Sequence, residues 1–428
     1  MPVSSRPHKP EEVPDEAPDI AIVGAGIIGI CAAAYLAEAG HKVTLYDRTG
    51  ICEETSSGNA AALAFSDVLP LAHKGMMRKL PRWLADPLGP LAIPPSHLPR
   101  LLPWLWRFWR AGSARHYDAS LAAQAAMMKL AENEWADLLD RSGTQHMLRE
   151  DGSLELYETE AEFRASLPGW ALRDRYAIAY RHVGGDELAA LQPGLSPRFA
   201  KATFVPGWKT VDDPKILAQG VWTHVEKFGA SFARRTVSSV EASDEGVTMR
   251  FADGGATRAS RLLIAAGAWS HILAAQLGDH IPLETERGYN TTLPREAFDV
   301  KRQLIFSGHG FVATPLSTGL RIGGAVELGG LDLPPNHARA KAMLEKATRF
   351  LPGLRTEGGR EWMGYRPSLP DSLPVIGMSR GSKSVLYAFG HGHLGLTQAA
   401  ATARVIRELV SGQAPALDLS PFSPQRFH

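Results

Sequence analysis

Ile20-Ala-Ile-Val-Gly-Ala-Gly-Ile-Ile-Gly29 is the stretch on which the fold turns. Its first four residues are apolar, mostly β-branched, and predict a short buried strand. Gly24, Gly26 and Gly29 follow, then helix-forming residues through Ala39, with Gly40 where a left-handed residue closes a helix. Residues 42–46 predict a second strand that ends at Asp47. Together these make a βαβ unit of about 30 residues. Gly24 allows the tight turn out of the strand. Gly26 has no side chain, so a pyrophosphate can approach the N–H groups of the helix start, where Ile27 and Ile28 open the first turn. Gly29 lets the helix pack closely on the sheet. Asp47 lies 18 positions after Gly29, where a carboxylate can bind both ribose hydroxyls. A lone Gly-x-Gly-x-x-Gly is weak; strand, glycines, helix, strand and acid in register point to a dinucleotide. The carboxylate disfavours a 2′-phosphate, which leaves FAD or NAD.

The continuation separates those two. An NAD fold usually adds further βα units at once. Here Asp47 and Arg48 lead into the small polar loop Glu54-Thr-Ser-Ser-Gly-Asn-Ala60, and a long insertion follows. The next clear strands are expected only at residues 237–240 and 247–251, as a hairpin that turns again at Asp253-Gly-Gly255. Arg261-Leu-Leu-Ile-Ala-Ala-Gly267 reads as a buried strand running into a glycine turn. A dinucleotide half-fold interrupted by insertions and closed near the C-terminus suits a flavoprotein. Residues 122–139 and 337–350 read as helices, and residues 311–314 and 320–326 as strands.

Composition sets outer limits. Of 428 residues, 44% are hydrophobic and 21% charged, enough to build a large core. Lys and Arg number 46 against 45 Asp and Glu, a balance that argues against a nucleic-acid partner. Two cysteines rule out a disulfide scaffold and a cysteine-rich zinc module. No apolar run approaches the ~20 residues of a spanning helix. Residues 1–17 are proline-rich and acidic, read as a disordered tail and not as a secretory signal. The expected location is cytoplasmic.

With these motifs in place, the chain resembles the FAD-dependent D-amino-acid oxidase and dehydrogenase superfamily, which includes glycine oxidase and sarcosine oxidase. The matching residues are the Gly24 motif with Asp47, Glu54-Thr-Ser-Ser-Gly-Asn-Ala60, Thr210-Val-Asp-Asp-Pro214, Leu263-Ile-Ala-Ala-Gly-Ala-Trp269 and Arg287-Gly-Tyr289. Gly364-Tyr-Arg-Pro367, Pro374-Val-Ile-Gly377 and Gly390-His-Gly-His-Leu-Gly-Leu-Thr397 complete them, in family order over residues 20–412. The likeness is strongest to bacterial D-amino-acid dehydrogenases, with relatives acting on D-proline or hydroxy-D-proline beside them. It implies an α/β fold: a Rossmann-like FAD-binding domain (residues 18–66, 200–275 and 360–412) intertwined with an α+β substrate domain containing an antiparallel sheet (67–199 and 276–359). A C-terminal tail would take 413–428.

The resemblance also implies site residues. FAD contacts would come from the first motif, Asp47 and Arg48, then from Ser56, Ser57, Asn59 and Ala60. Val237, Ala266, Gly267, Trp269 and Gly364 would add to them, as would the loop Gly392, His393, Leu394, Gly395, Leu396 and Thr397. Thr397 reads as the N-cap of a helix over residues 398–410, whose positive end would face the flavin. The paired histidines read as loop residues, with no metal expected. Cys31 and Cys52 do not match an attachment cysteine, so FAD is expected to be non-covalent. Arg366, in Gly-x-Arg-Pro, would grip the substrate carboxylate through its planar fork. Tyr289 would offer a hydroxyl, a pocket wall or only strand packing; His309 would meet the substrate amine or sit in a solvent-facing turn. The implied reaction is oxidative deamination of a D-amino acid by hydride transfer from the α-carbon. A glycine/sarcosine-type secondary-amine oxidase and a flavin-binding subunit of a larger complex are the alternatives. Leu98-Pro-Arg-Leu-Leu-Pro-Trp-Leu-Trp-Arg-Phe-Trp-Arg110 mixes Trp with Arg, as an interfacial segment does. It leaves open either a peripheral membrane contact with a quinone as electron acceptor, or a packed helix or dimer contact.

Overall fold

The computed structural model describes residues 18–73, 89, 91–243 and 245–427. The expected tail of residues 1–17 lies outside them. Strand Ile20–Val23 is buried at every position. It pairs in parallel with Val43–Asp47 on one side and Arg261–Ile264 on the other. Ser231–Arg234, Val385–Phe389 and the antiparallel Val375–Met378 complete a six-stranded sheet. Continuous apolar sequence is what a strand covered on both faces requires. Ile20 and Ile22 join one core cluster, while Ala21 and Val23 join another on the opposite face. Helix Ile27–Glu38 has eleven of its twelve residues buried. Its alanines let helix Gly395–Val410 pack closely against it. The expected hairpin is present as Val237–Ser243 and Gly246–Phe251, extended by Ala256–Ala259.

The second sheet has nine strands. Its path runs Arg360–Ser368, Glu284–Leu293, Gly319–Leu328, Phe311–Leu316, Gln303–Phe306, Ser153–Tyr157, Lys201–Val205 and Arg181–Gly184, with Leu91–Ala92 beside Gly319–Leu328. Alternation gives it two unlike faces. Leu154, Leu304, Phe306, Ala313 and Ile322 form a core together with Met343, Ala347 and Phe350 of helix Ala338–Phe350. The residues between them in sequence face the other way, over a large cavity.

Several expectations change here. Strands Lys201–Val205 and Arg360–Ser368, placed by sequence in the cofactor domain, pair within the larger sheet. The helix expected over 122–139 runs Ala114–Ser142. Although it falls in the segment assigned to the substrate domain, Met127, Ala131 and Trp135 join the core of the dinucleotide half. Strands precede the hairpin, Ser153–Tyr157 among them, where sequence showed none. The expected C-terminal tail is anchored to the body at its end. Phe422 is fully buried, and Arg426 reaches Asp371 at 2.7 Å. Burying one phenylalanine contributes about 1.5–3 kcal/mol.

Candidate active site

The first turn is built for close approach. Gly24 has φ +111°, and a Cβ there would lie 2.4 Å from the Ala265 carbonyl oxygen on the neighbouring strand. A Cβ at Gly26 would meet Ser56 Oγ at 3.1 Å; that oxygen accepts from the Ile27 N–H. Asp47 ends the second strand and is fixed by its own loop. Oδ2 accepts from the Ala25 N–H at 2.9 Å, and Oδ1 from Thr49 N and Oγ1. Arg48 pairs with Glu54 at 3.0 Å and lies over the Trp269 ring at 3.8 Å. A glycine cradle at a helix start, beside an oriented carboxylate and a stacked arginine, fits an adenine dinucleotide.

This turn opens into one cavity of about 1100 Å³ that continues to the larger sheet. Loop Thr55–Gly58 contributes Thr55, Ser56 and Gly58 to the cavity wall and is tied to that sheet. Thr55 Oγ1 bonds both the N–H and the carbonyl of Tyr365, Asn290 donates to the Gly58 carbonyl at 3.0 Å, and Arg321 donates to the Ser57 carbonyl at 3.2 Å. Burial lowers the Arg321 pKa, with Asp213 opposing. At the C-terminal loop Gly392 has φ +55°, and its N–H donates to the Pro367 carbonyl at 2.8 Å. His391 is buried against Thr402, and burial pushes its pKa down to about 3. His393 bonds Asp67 at 3.3 Å.

Most of the expected cofactor residues line this cavity. Gly24, Gly26, Ile27, Ile28, Asp47, Arg48, Ser56, Asn59 and Ala60 do, as do Val237, Ala266, Gly267, Trp269 and residues 392–397. Three do not. Gly29 packs on Gly24, where a Cβ would stand 1.9 Å from the carbonyl oxygen; Gly364 is filled over by Trp362; Ser57 Oγ turns back to the Glu54 carbonyl. Thr397 is not the helix cap. The helix begins at Gly395 with Leu394 as N-cap, and Thr397 Oγ1 accepts from Ala64 N–H while donating to the Ala62 carbonyl.

Strand parity sorts the substrate candidates. In the antiparallel pair of Glu284–Leu293 with Arg360–Ser368, Glu286 stands opposite Arg366, both lining the cavity, and Gly288 stands opposite Gly364 two residues along the same face. The Arg366 guanidinium fills the space above Gly288, where a Cβ would lie 2.4 Å from Nη2. Among the described residues it makes no hydrogen bond or ion pair. Burial lowers its pKa, and Glu286 opposes that effect. Tyr289, one residue further, points to the opposite face. Its hydroxyl donates to Glu327 and accepts from the Asn336 N–H at 3.0 Å, and the residue also contributes to the cavity wall. Burial pushes its pKa up to about 12. Arg287 is on that same far face, donating to the carbonyls of Gly330, Leu333 and Pro334. His309 bonds Glu158 at 2.8 Å and packs on Phe350, outside the cavity lining. Sequence reading overlooked Glu286 and Glu155, both on the cavity face. Glu155 accepts from Ser307 at 2.9 Å, and burial raises its pKa. A register for the sheet would have revealed Glu286, two residues before Gly288.

Comparison with known proteins agrees with this geometry. The family model described as DAO, FAD dependent oxidoreductase, matches residues 19–409. The chain is 34% identical to a D-amino-acid oxidase of Bradyrhizobium diazoefficiens, over 95% of this chain and 98% of that one. It is 27% identical to a D-amino acid dehydrogenase of Neisseria meningitidis, over 95% of this chain and 99% of the relative. Glycine oxidase from Geobacillus kaustophilus superposes with a TM-score of 0.72 at 23% identity, covering 96% of this chain and 98% of its own. L-proline dehydrogenase from P. horikoshii gives 0.72 at 19%, covering 96% and 98%. At those identities the two structural likenesses speak to the fold alone.

Proposed function

The chain belongs to the DAO family of FAD-dependent oxidoreductases, and from that premise we propose that it oxidises D-amino acids at the α-carbon. The observation that carries this reading is Arg366, a cavity-facing guanidinium without a partner among the described residues. A free planar fork is suited to both oxygens of an α-carboxylate. When bound, FAD supplies the acceptor, at N5, for the hydride that leaves the α-carbon. The residues of this chain supply alignment: Arg366 fixes the carboxylate and hence the direction of the α-hydrogen. The start of helix Gly395–Val410 lines the cavity, and its partial positive charge favours negative charge developing nearby. The product is an imino acid that water hydrolyses to a keto acid and ammonia, unless the amine is cyclic. The same cavity also carries Glu155, Trp208 and Gln303 on its wall, polar groups that would suit a substrate with a side chain.

The helix Leu98–Ala111 supports a peripheral site on a membrane. Trp104 is buried, whereas Trp106 and Trp109 are 55% and 59% exposed beside exposed Arg107 and Arg110. Such a surface suits anionic headgroups and a quinone acceptor. Among the described residues no helix is long and apolar enough to cross a membrane.

Anaerobic flavin bleaching against a panel of D-, L- and N-methyl amino acids, with D-proline and hydroxy-D-proline included, tests the reading. Bleaching by D-amino acids with side chains is expected. Bleaching by glycine and sarcosine alone would replace it with the secondary-amine reading, and bleaching by none would leave a flavin-binding subunit.

A further inference from the structure

We propose that Glu286 receives the substrate ammonium and so determines that the site takes amino acids and not other α-substituted carboxylates. This rests on Arg366 as the carboxylate clamp. Glu286 and Arg366 are directly opposed in an antiparallel pair and share one face, so their Cα atoms stand about 4.5–5.5 Å apart. Yet the two charges do not close into an ion pair, and among the described residues the Glu286 carboxylate has no hydrogen-bonding partner.

Glu286 is only 8% exposed and lines the cavity. Its neighbour on the other flanking strand is Leu328, which offers nothing polar. A buried carboxylate left in this way is unfavourable unless a cation arrives. An α-amino acid carries its ammonium nitrogen and carboxylate carbon about 2.5 Å apart on one carbon. It can therefore lie across the strand pair, carboxylate on Arg366 and ammonium on Glu286, inverting the order of charge in the protein. Gly288, beside both, leaves space for the guanidinium that a side chain there would take. An α-hydroxy acid or a plain carboxylate would fill the Arg366 end and leave Glu286 unpaired.

The probes are 2-aminoisobutyrate, which has no α-hydrogen and cannot be oxidised, and pivalate, the same shape without the amine. Both are titrated calorimetrically into the FAD-loaded wild type, Glu286→Gln, Glu286→Asp and Arg366→Lys. Wild type is expected to prefer the amine by roughly ten-fold or more, the range of one charge-assisted bond. Glu286→Gln should abolish that preference without weakening pivalate, and Glu286→Asp should keep part of it. Flavin content and melting temperature establish that each variant is folded. An unchanged preference in Glu286→Gln overturns the proposal, as does an equal loss for both probes, which would make Glu286 a positioning residue for Arg366. Wild type without a preference, or without binding of either probe, overturns it as well. Arg366→Lys should weaken both probes alike; if it weakens neither, the carboxylate clamp itself fails, a separate result.

Discussion

A guanidinium packed over a glycine backbone, facing a carboxylate that it does not touch, is costly until a ligand anion arrives. Arg366 is such a group, and its geometry matters as much as its charge. Arg366→Lys replaces a fork by a point charge. It should keep flavin but lose roughly ten- to hundred-fold in kcat/KM, the value of a bond worth about 1.5–3 kcal/mol. Steady-state kinetics on the folded variant check this, and unchanged values would remove Arg366 from the site. Gly288→Ala reaches the same guanidinium from below. Its Cβ would sit 2.4 Å from Nη2, so the arginine must swing away, and KM should rise with the flavin still bound. His391 gives a pH signature. Its folded pKa is about 3 against 6.5 for the free group. Below pH 6.5 the unfolded chain therefore binds the extra proton and the folded chain does not. Stability from this group falls as pH drops from 6.5 towards 3, by up to about 1.4 kcal/mol per pH unit. Denaturant midpoints measured across that window should fall less steeply in His391→Gln than in wild type.

Elements differed in how far sequence revealed them, and the difference follows from where each strand finds its partners. The first βαβ unit is local: its strand, glycines, helix and acid all lie between Ile20 and Asp47, and all were legible. The larger sheet pairs strands distant in the chain, such as Glu284–Leu293 with Arg360–Ser368, and its register is invisible in one sequence. A one-residue slip moves a side chain to the opposite face. That is why Glu286 was passed over, and why sequence could not decide whether the Tyr289 hydroxyl faces the pocket or packs behind the strand. Ser153–Tyr157 was missed because Glu155 in its middle faces a cavity and reads as a polar interruption. Thr397 looked like a cap by residue type, yet tertiary bonds to Ala62 and Ala64 claim it. The Trp-rich segment, read as either an interfacial stretch or a packed helix, is a helix with one buried and two exposed tryptophans, and its exposed face supports a concrete expectation. Trp106→Ser with Trp109→Ser should abolish sedimentation with anionic vesicles and leave turnover with a soluble quinone intact. Wild type that forms peroxide rapidly and ignores vesicles would assign the helix to another surface role.

At the scale of the molecule, the chain crosses between its two largest sheets several times, so the cavity wall draws on residues from Val23 to Thr397. A cofactor held there would join the glycine turn, the loop Thr55–Gly58 and the C-terminal loop, segments that meet only in the folded state. Binding of FAD should therefore stabilise the whole protein, by about 2.7 kcal/mol when free FAD exceeds its Kd a hundred-fold. The melting temperature of the stripped protein should climb as FAD is added back. Among the described residues nothing in the cavity lining offers a covalent bond through sulfur. Cys31 and Cys52 are buried away from it. Burial, foremost, pushes the Cys52 thiol up to about 12 and Cys31 higher still, so neither supplies a thiolate at neutral pH. Acid or heat should accordingly release the yellow chromophore as intact FAD, leaving a colourless precipitate. Colour that stays on the precipitated chain, located by peptide mapping, would show a covalent link and identify its residue.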